Sequence, residues 1–182
     1  ELAKADKNIL VYVDFAKKYL VEGQFTKLED LGKPLEVKRL DTSKIPLADA
    51  LIMGNPSARN KVIVFDDPDC PYCKKFHNEI KKIIAKRDDI VFYLKLFPLP
   101  IHPEAHDKSR AILCNRSIAM LEDAFEGKTL PKPECEAKEI DENVRLAREL
   151  GIGGTPTLIL PDGRVIPGYV DADTFISILD SP

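Results

Sequence analysis

Nothing in the 182 residues approaches the run of about 20 apolar residues that crosses a membrane. Neither sign of charge is in excess. There are 27 Lys and Arg against 30 Asp and Glu, mixed along the chain, for a net charge of −3. That distribution supplies no basic footprint for nucleic acid. No internal repeat and no low-complexity tract appears, so repeat architectures are set aside. The chain starts at Glu1 rather than Met and shows no signal peptide. It reads as a processed or truncated product, so the missing signal does not argue against export. What is present is an apolar fraction of 44%, ordinary for a globular core, in a length that suits one domain plus an appendage.

Two of the four cysteines organise the chain. Cys70-Pro71-Tyr72-Cys73 sits where the apolar run Lys61-Val62-Ile63-Val64-Phe65 passes through Asp66, Asp67, Pro68 and Asp69 into a segment with helical spacing. Strand, tight turn, two cysteines and helix is a redox arrangement. Cys70 falls at the helix N-terminus, where free N–H groups and the helix dipole favour an anionic sulfur. Cys73, three residues on, lies on the same face and can close a small disulfide with it. Pro71 fits the first helical position. The competing reading is half a zinc site, which needs a second pair of ligands at matching spacing. Cys114 and Cys135 belong to no tight pair. Their even number and wide spacing suit a structural bridge, and hence an oxidising compartment. The alternative for them is two buried free thiols.

In order along the chain, Ile9–Phe15 and Tyr19–Thr26 read as strands of a hairpin turned at Lys17-Lys18, with a bulge or close approach at Gly23. A lone hairpin is marginal in water, so this one must pack on something. Pro46–Met53 reads as two helical turns ended by Gly54-Asn55-Pro56. Residues 1–40 are expected to be an N-terminal β segment, 41–60 a linker and 61–182 the main domain. Within the last, a strand at 61–65, a helix at 70–86 and a buried strand at 90–97 imply a parallel pair with a right-handed crossover. Helical composition follows from Glu104 to Glu126, divisible into two pieces. Ile140, Val144, Ala147 and Leu150 mark another helix closed by Gly151. A hairpin turns around Pro161-Asp162-Gly163, and a last helix runs over 171–179.

Gly153-Gly154-Thr155-Pro156-Thr157 directly precedes a strand. Proline belongs at a strand's first residue, and a cis peptide there usually has a purpose. Alone the segment reads as a loop. With the cysteine motif, the chain resembles the thioredoxin superfamily, and more narrowly the DsbC/DsbG family of bacterial periplasmic disulfide isomerases. The likeness covers 61–182, including Phe65-Asp66-Asp67-Pro68-Asp69-Cys70 and Val165-Ile166-Pro167-Gly168-Tyr169. It extends to 9–31, which resemble the last strands of that family's N-terminal dimerisation domain in shortened form.

The resemblance implies an α/β, thioredoxin-like fold with a helical insertion, preceded by a short β-hairpin segment and a linker. It implies that Cys70 is the attacking thiolate and Cys73 the resolving thiol. It makes Pro156 a cis-proline packed against the disulfide, with Thr155 presenting its backbone to an extended substrate peptide. Pro71 and Tyr72 join these as substrate-facing positions. Cys114 and Cys135 match the structural disulfide of the DsbC branch. Pro71-Tyr72 departs from that branch toward DsbG, and glutaredoxins also use Pro-Tyr. At Val64 thioredoxin has a buried acid that assists proton transfer to the resolving thiol, and that acid is absent here.

The implied activity is isomerisation or reduction of disulfides in misoxidised exported proteins. The implied location is the periplasm, with a DsbD-like membrane reductant that keeps the site reduced and a homodimer formed through the N-terminal segment. No cofactor, metal or nucleic acid is expected. Two rivals stand beside this reading. One is a monomeric thioredoxin-like reductase for one exported target such as an apocytochrome. The other is a chaperone-like peptide-binding module. Weaker signals are His102 and His106, four apart but separated by Pro103, which read as a solvated helix start rather than a metal site. His77 reads as a surface residue. Phe97–Ile101 reads equally as groove lining or core.

Overall fold

The structure, a computed structural model, describes residues 11–13, 20–22 and 39–181. The chain divides into two compact units, 1–36 and 37–182. In the first, β1 (Val11–Val13) pairs antiparallel with β2 (Leu20–Glu22), with Val11 opposite Glu22. Both strands fall inside the two runs read as a hairpin. Gly23 and the proposed turn lie outside the described residues.

The second unit is built on five strands. They are β3 (Leu51–Gly54), β4 (Asn60–Asp66), β5 (Ile90–Leu96), β6 (Thr157–Ile159) and β7 (Val165–Pro167), ordered β3-β5-β4-β6-β7. β4 and β5 are parallel, as the strand–helix–strand order requires, and every other pair is antiparallel. The crossover helix is α1 (Pro71–Lys86). Between β5 and β6 lie α2 (Ala105–Asn115), α3 (Ile118–Phe125) and α4 (Glu139–Glu149), and α5 (Ala172–Asp180) closes the chain. The helical stretch after β5 breaks into α2 and α3 at Arg116, whose φ is +46°. Ser117 then caps α3 by accepting from the Met120 N–H.

The expectation for the stretch before Lys61 fails. Pro46–Met53 is not helical, and 41–60 is not merely a connector. A short 3₁₀ turn at Thr42–Lys44 leads to β3, an edge strand on β5. Leu51 and Met53 are buried while Ile52 is exposed, a period of two that three apolar residues in a row disguise. β3 ends at Gly54, with φ +99°. A Cβ there would stand 2.9 Å from the Ile90 carbonyl oxygen, so only glycine lets the two backbones approach.

The sheet buries both faces. On one, Val62, Val64, Phe92 and Leu94 meet Phe76, Ile80 and Ile83 of α1 and Phe175 of α5. Phe76, Phe92 and Phe175 form an aromatic cluster with ring centroids 5.5–6.3 Å apart. On the other, Ile63, Phe65 and Ile159 meet Phe97, Ala147 of α4 and Ile152. β4 is covered on both faces. Its C-terminal end can therefore present groups to α1 with little positional freedom.

Candidate functional site

α1 begins where β4 ends, and the turn between them is fixed by Asp67. Asp67 is fully buried. It accepts from the N–H groups of Leu99 (2.6 Å) and Asp69 (2.8 Å), and His102 Nδ1 lies 2.9 Å from it. The Cys70 N–H closes the turn on the Asp67 carbonyl at 3.1 Å. Cys70 occupies the N-cap of α1 with extended backbone, and Pro71 takes the first helical position.

Both sulfurs are free thiols and both are buried. Cys70 Sγ lies 3.4 Å from the Thr155 carbonyl oxygen. Cys73 Sγ accepts from the Asp67 N–H at 3.5 Å. A hydrogen bond from the Cys73 thiol pulls the Cys70 thiol down to about 5. Burial opposes that shift, while Thr155 and the Cys73 and Tyr72 N–H groups reinforce it. Burial drives Cys73 the other way, well above an ordinary thiol, and its hydrogen bond to Cys70 adds to the effect. The pair is thus divided into an anionic sulfur at the helix terminus and a protonated one beneath it.

The peptide bond from Thr155 to Pro156 is cis. It sits immediately before β6. The Thr157 hydroxyl donates to the Gly154 carbonyl at 2.7 Å, and the Gly168 N–H to the Pro156 carbonyl at 2.7 Å. A groove of about 390 Å³ runs beside this loop, walled by Ile152, Thr155, Pro156, Val165 and Pro167. Tyr72 stands exposed, with Lys75 Nζ 5.3 Å from its ring centroid. Cys70, Cys73, Thr155 and Pro156 are therefore brought together. Cys114 and Cys135 lie elsewhere, bonded to each other with their Cα atoms 5.7 Å apart, and tie the end of α2 to the segment before α4.

A family model described as a thioredoxin-like domain matches residues 47–181. The chain belongs to the thioredoxin-like family. A probable thiol:disulfide interchange protein DsbC of Bordetella avium is 33% identical over 130 residues, covering 70% of this chain and 45% of that protein. The DsbC of Salmonella typhimurium is 25% identical over 174 residues, covering 94% and 73%. The chain thus spans less than half the length of the Bordetella relative. Among solved structures, a disulfide interchange protein from Neisseria gonorrhoeae superposes with a TM-score of 0.63. It is 30% identical, with 74% of this chain and 96% of that one covered. The catalytic domain of Proteus mirabilis ScsC gives a TM-score of 0.58 at 27% identity, over 72% and 88%. The resemblance read from the sequence and the thioredoxin-like α/β fold agree with these relatives.

The weaker sequence signals resolve differently in the thioredoxin-like unit. His102 and His106 serve separate carboxylates, Asp67 and Asp141, each at 2.9 Å. No cluster able to hold a metal ion occurs among the described residues. His77 is not a surface residue. It is buried, 2.9 Å from Glu122, with its ring 5.5 Å from that of Phe125, and burial pushes its pKa down. Phe97 belongs to the core against Phe65, whereas Ile101 is exposed. The sequence reading takes Asp66 and Asp67 as part of the turn before Cys70 and of the family likeness, and assigns neither a role. Continuing the alternation of Val62 and Val64 by two residues places Asp66 on the face toward α1, and that was the available signal.

Proposed function

We propose that this chain performs thiol–disulfide interchange on exported proteins through Cys70-Pro71-Tyr72-Cys73. The observation that carries the reading is the Cys70 sulfur. It sits at a helix N-terminus, lowered to about 5, against the backbone of a cis-proline loop. Such a sulfur is an anion at neutral pH and a good leaving group.

Cys70 thiolate attacks one sulfur of a substrate disulfide. A mixed disulfide forms and the partner sulfur leaves as thiolate. That released thiolate can attack another bridge in the substrate, and eventually expel Cys70, which is isomerisation. Alternatively Cys73 attacks Cys70, forming the Cys70–Cys73 bond and releasing a reduced substrate. Thr155 and Pro156 offer backbone to an extended peptide, and Pro71 and Tyr72 form the opposite rim. The Cys114–Cys135 bond supports an oxidising compartment, and we place the protein in the periplasm. There a membrane thiol reductant of the DsbD kind keeps the site reduced. The N-terminal unit is the segment through which a homodimer forms, joined by a linker to the catalytic domain.

The test runs refolding of a protein with scrambled disulfides beside reduction of insulin, with wild type and Cys70→Ser. Wild type promotes at least one reaction and Cys70→Ser neither. Isomerase activity exceeding reduction assigns the isomerase direction; the reverse assigns a reductase. Scrambled-protein refolding equally fast with Cys70→Ser identifies a peptide-binding module instead.

A further inference from the structure

A second cleft, of about 670 Å³, opens between the first turns of α2 and the segment 127–133 that follows α3. It shares no lining residue with the groove beside the cis-proline loop. It adjoins the reactive turn all the same. Lys108 lines it and donates at 2.7 Å to Asp69, the residue directly before Cys70. Pro103 lines it and directly follows His102, which lies 2.9 Å from Asp67. The end of the cleft is thus tied, through two side chains, to the turn that sets Cys70 at the start of α1.

The wall facing α2 has an unusual backbone. Residues 128–133 form neither helix nor strand, and Pro131 and Pro133 keep them out of both. Yet the segment is held at each end. The Gly127 and Lys128 N–H groups donate to the Ala124 and Asp123 carbonyls, each at 2.9 Å. Beyond it, Cys135 is bonded to Cys114 of α2, and Arg110 donates to the Cys135 and Glu136 carbonyls at 3.2 and 3.1 Å. Leu130 packs on the main core in between. Among the described residues, the N–H groups of Thr129, Leu130 and Lys132 donate to no protein group, and the carbonyls of 129–133 accept from none. A fixed backbone with open donors and acceptors along a cleft suits an extended peptide, which pairs with it as an added strand pairs with a sheet edge. A small anion fits worse, because the lysines here are already neutralised. Lys108 pairs with Asp69 and Glu104, and Lys128 with Asp123 and Glu126.

We propose that this cleft receives one arm of the substrate polypeptide while its cysteine is bonded to Cys70. The proposal rests on the interchange reading above and names the substrate class of that site. As Cys70 thiolate attacks a substrate disulfide, the bond from Cys70 to one substrate sulfur forms and the other sulfur leaves as thiolate. The chain then joined to Cys70 has two arms. One meets the cis-proline loop. The other passes Asp69 and Lys108 and lies along 129–132, pairing with the open N–H and carbonyl groups there. The preferred substrate is therefore a chain that is unfolded for several residues beside its cysteine. A small-molecule disulfide, or a cysteine in a compact folded loop, gains nothing from the cleft.

The experiment uses the full chain and peptides of alanine, serine and glutamine with a single cysteine, held as its disulfide with 5-thio-2-nitrobenzoate. Arms of about one or about six residues, the longer spanning about 20 Å when extended, are placed on either side of the cysteine. Attack by Cys70 releases the aromatic thiolate, whose absorbance gives the rate. With wild type, lengthening one particular arm speeds release roughly tenfold, as a main-chain hydrogen bond or two would give. In Thr129→Trp, whose indole fills the cleft, the ratio of long-arm to short-arm rates falls toward one. In Cys73→Ala, which retains the peptide on Cys70, the Thr129, Leu130 and Lys132 amides exchange hydrogen at least about tenfold more slowly with the long arm than with the short. That measurement decides the matter should Thr129→Trp not fold. Equal rates for all arms with unchanged exchange at these amides overturn the cleft and leave interchange standing. A long-arm advantage that leaves the three amides unprotected places the arm elsewhere, and also overturns it. Failure of wild type to release thiolate from any peptide overturns interchange, and the proposal with it.

Discussion

The Thr155 carbonyl oxygen lies 3.4 Å from the Cys70 sulfur, across 85 residues of sequence. Two unrelated local preferences meet at that contact. One is a helix that starts with proline directly after a cysteine. The other is a proline set before the first residue of a strand. Neither defines a site alone. β4 aligns them, because it pairs with β5 on one side and β6 on the other and so holds the start of α1 beside the start of β6.

The ionisation of Cys70 gives the most direct check on this geometry. The rate of alkylation by iodoacetamide should rise with pH and reach half its plateau near 5, with Cys73 unmodified in the native protein. The same shift has a stability consequence. The folded value lies below that of an exposed thiol, so its contribution is fully present above about 9 and is lost as pH falls through 5. Between those values the dithiol protein should gain stability from Cys70 as pH rises. Cys70→Ser removes that component, as urea titrations at several pH values would reveal.

The Cys114–Cys135 bond joins residues 21 apart in sequence. By the chain-entropy estimate a loop of this size contributes roughly 3 kcal/mol. Replacing both cysteines by alanine should lower the unfolding free energy from urea titration by an amount of that order, while Cys70 alkylation keeps its rate and pH midpoint. A loss of Cys70 reactivity in the folded variant would instead tie the bridge to the site.

Lys95 is the most deeply buried cation described. Its ammonium donates to both oxygens of Asp49, at 2.6 and 2.8 Å, and to the Pro46 carbonyl at 2.7 Å. The pair anchors the 46–50 segment to β5. Removing one partner strands the other, so Asp49→Ala should cost about 3–5 kcal/mol. The double variant Asp49→Leu with Lys95→Met should recover most of that loss, because no uncompensated charge remains. Denaturant unfolding of the three proteins closes the cycle, and additive losses would contradict the pairing.

The sequence made the strand–turn–helix around Cys70 legible because its signals are local: a β-branched run, a proline at the first helical position, and apolar residues at 76, 80 and 83. The second cysteine pair was legible as a bridge from its number and spacing, which left free thiols as the alternative, and the family resemblance reinforced it. β3 was not legible. Its outward Ile52 hides the alternation, and its pairing with β5 is set by residues 40 positions away. Lys95 interrupts an apolar strand, and only the fold reveals that Asp49 receives it. His77 looks like one polar residue among many on α1. Its burial depends on α3 arriving with Glu122 and Phe125. Asp66 has a readable strand pattern, but its burial is complete only once α1 packs on β4.

Asp66, buried at the end of β4, carries the last prediction. Its carboxyl titrates near 7 when folded and near 4 when unfolded, so the folded state holds more protons than the unfolded chain between those values. Stability should therefore fall as pH rises from about 4 through 7, against the trend from Cys70, and stay lowered above 7. A shift of about three units corresponds to roughly 4 kcal/mol as an upper bound, at about 1.4 kcal/mol per unit, and relaxation of the site reduces it. Asp66→Asn cannot ionise and fills nearly the same volume. It should be more stable than wild type above pH 7 by roughly 1–3 kcal/mol, with the advantage gone by pH 4. Urea midpoints for the two proteins, both fully reduced, measure the difference at each pH. A variant less stable than wild type at pH 8 would mean that Asp66 is ionised and well paired in the folded protein.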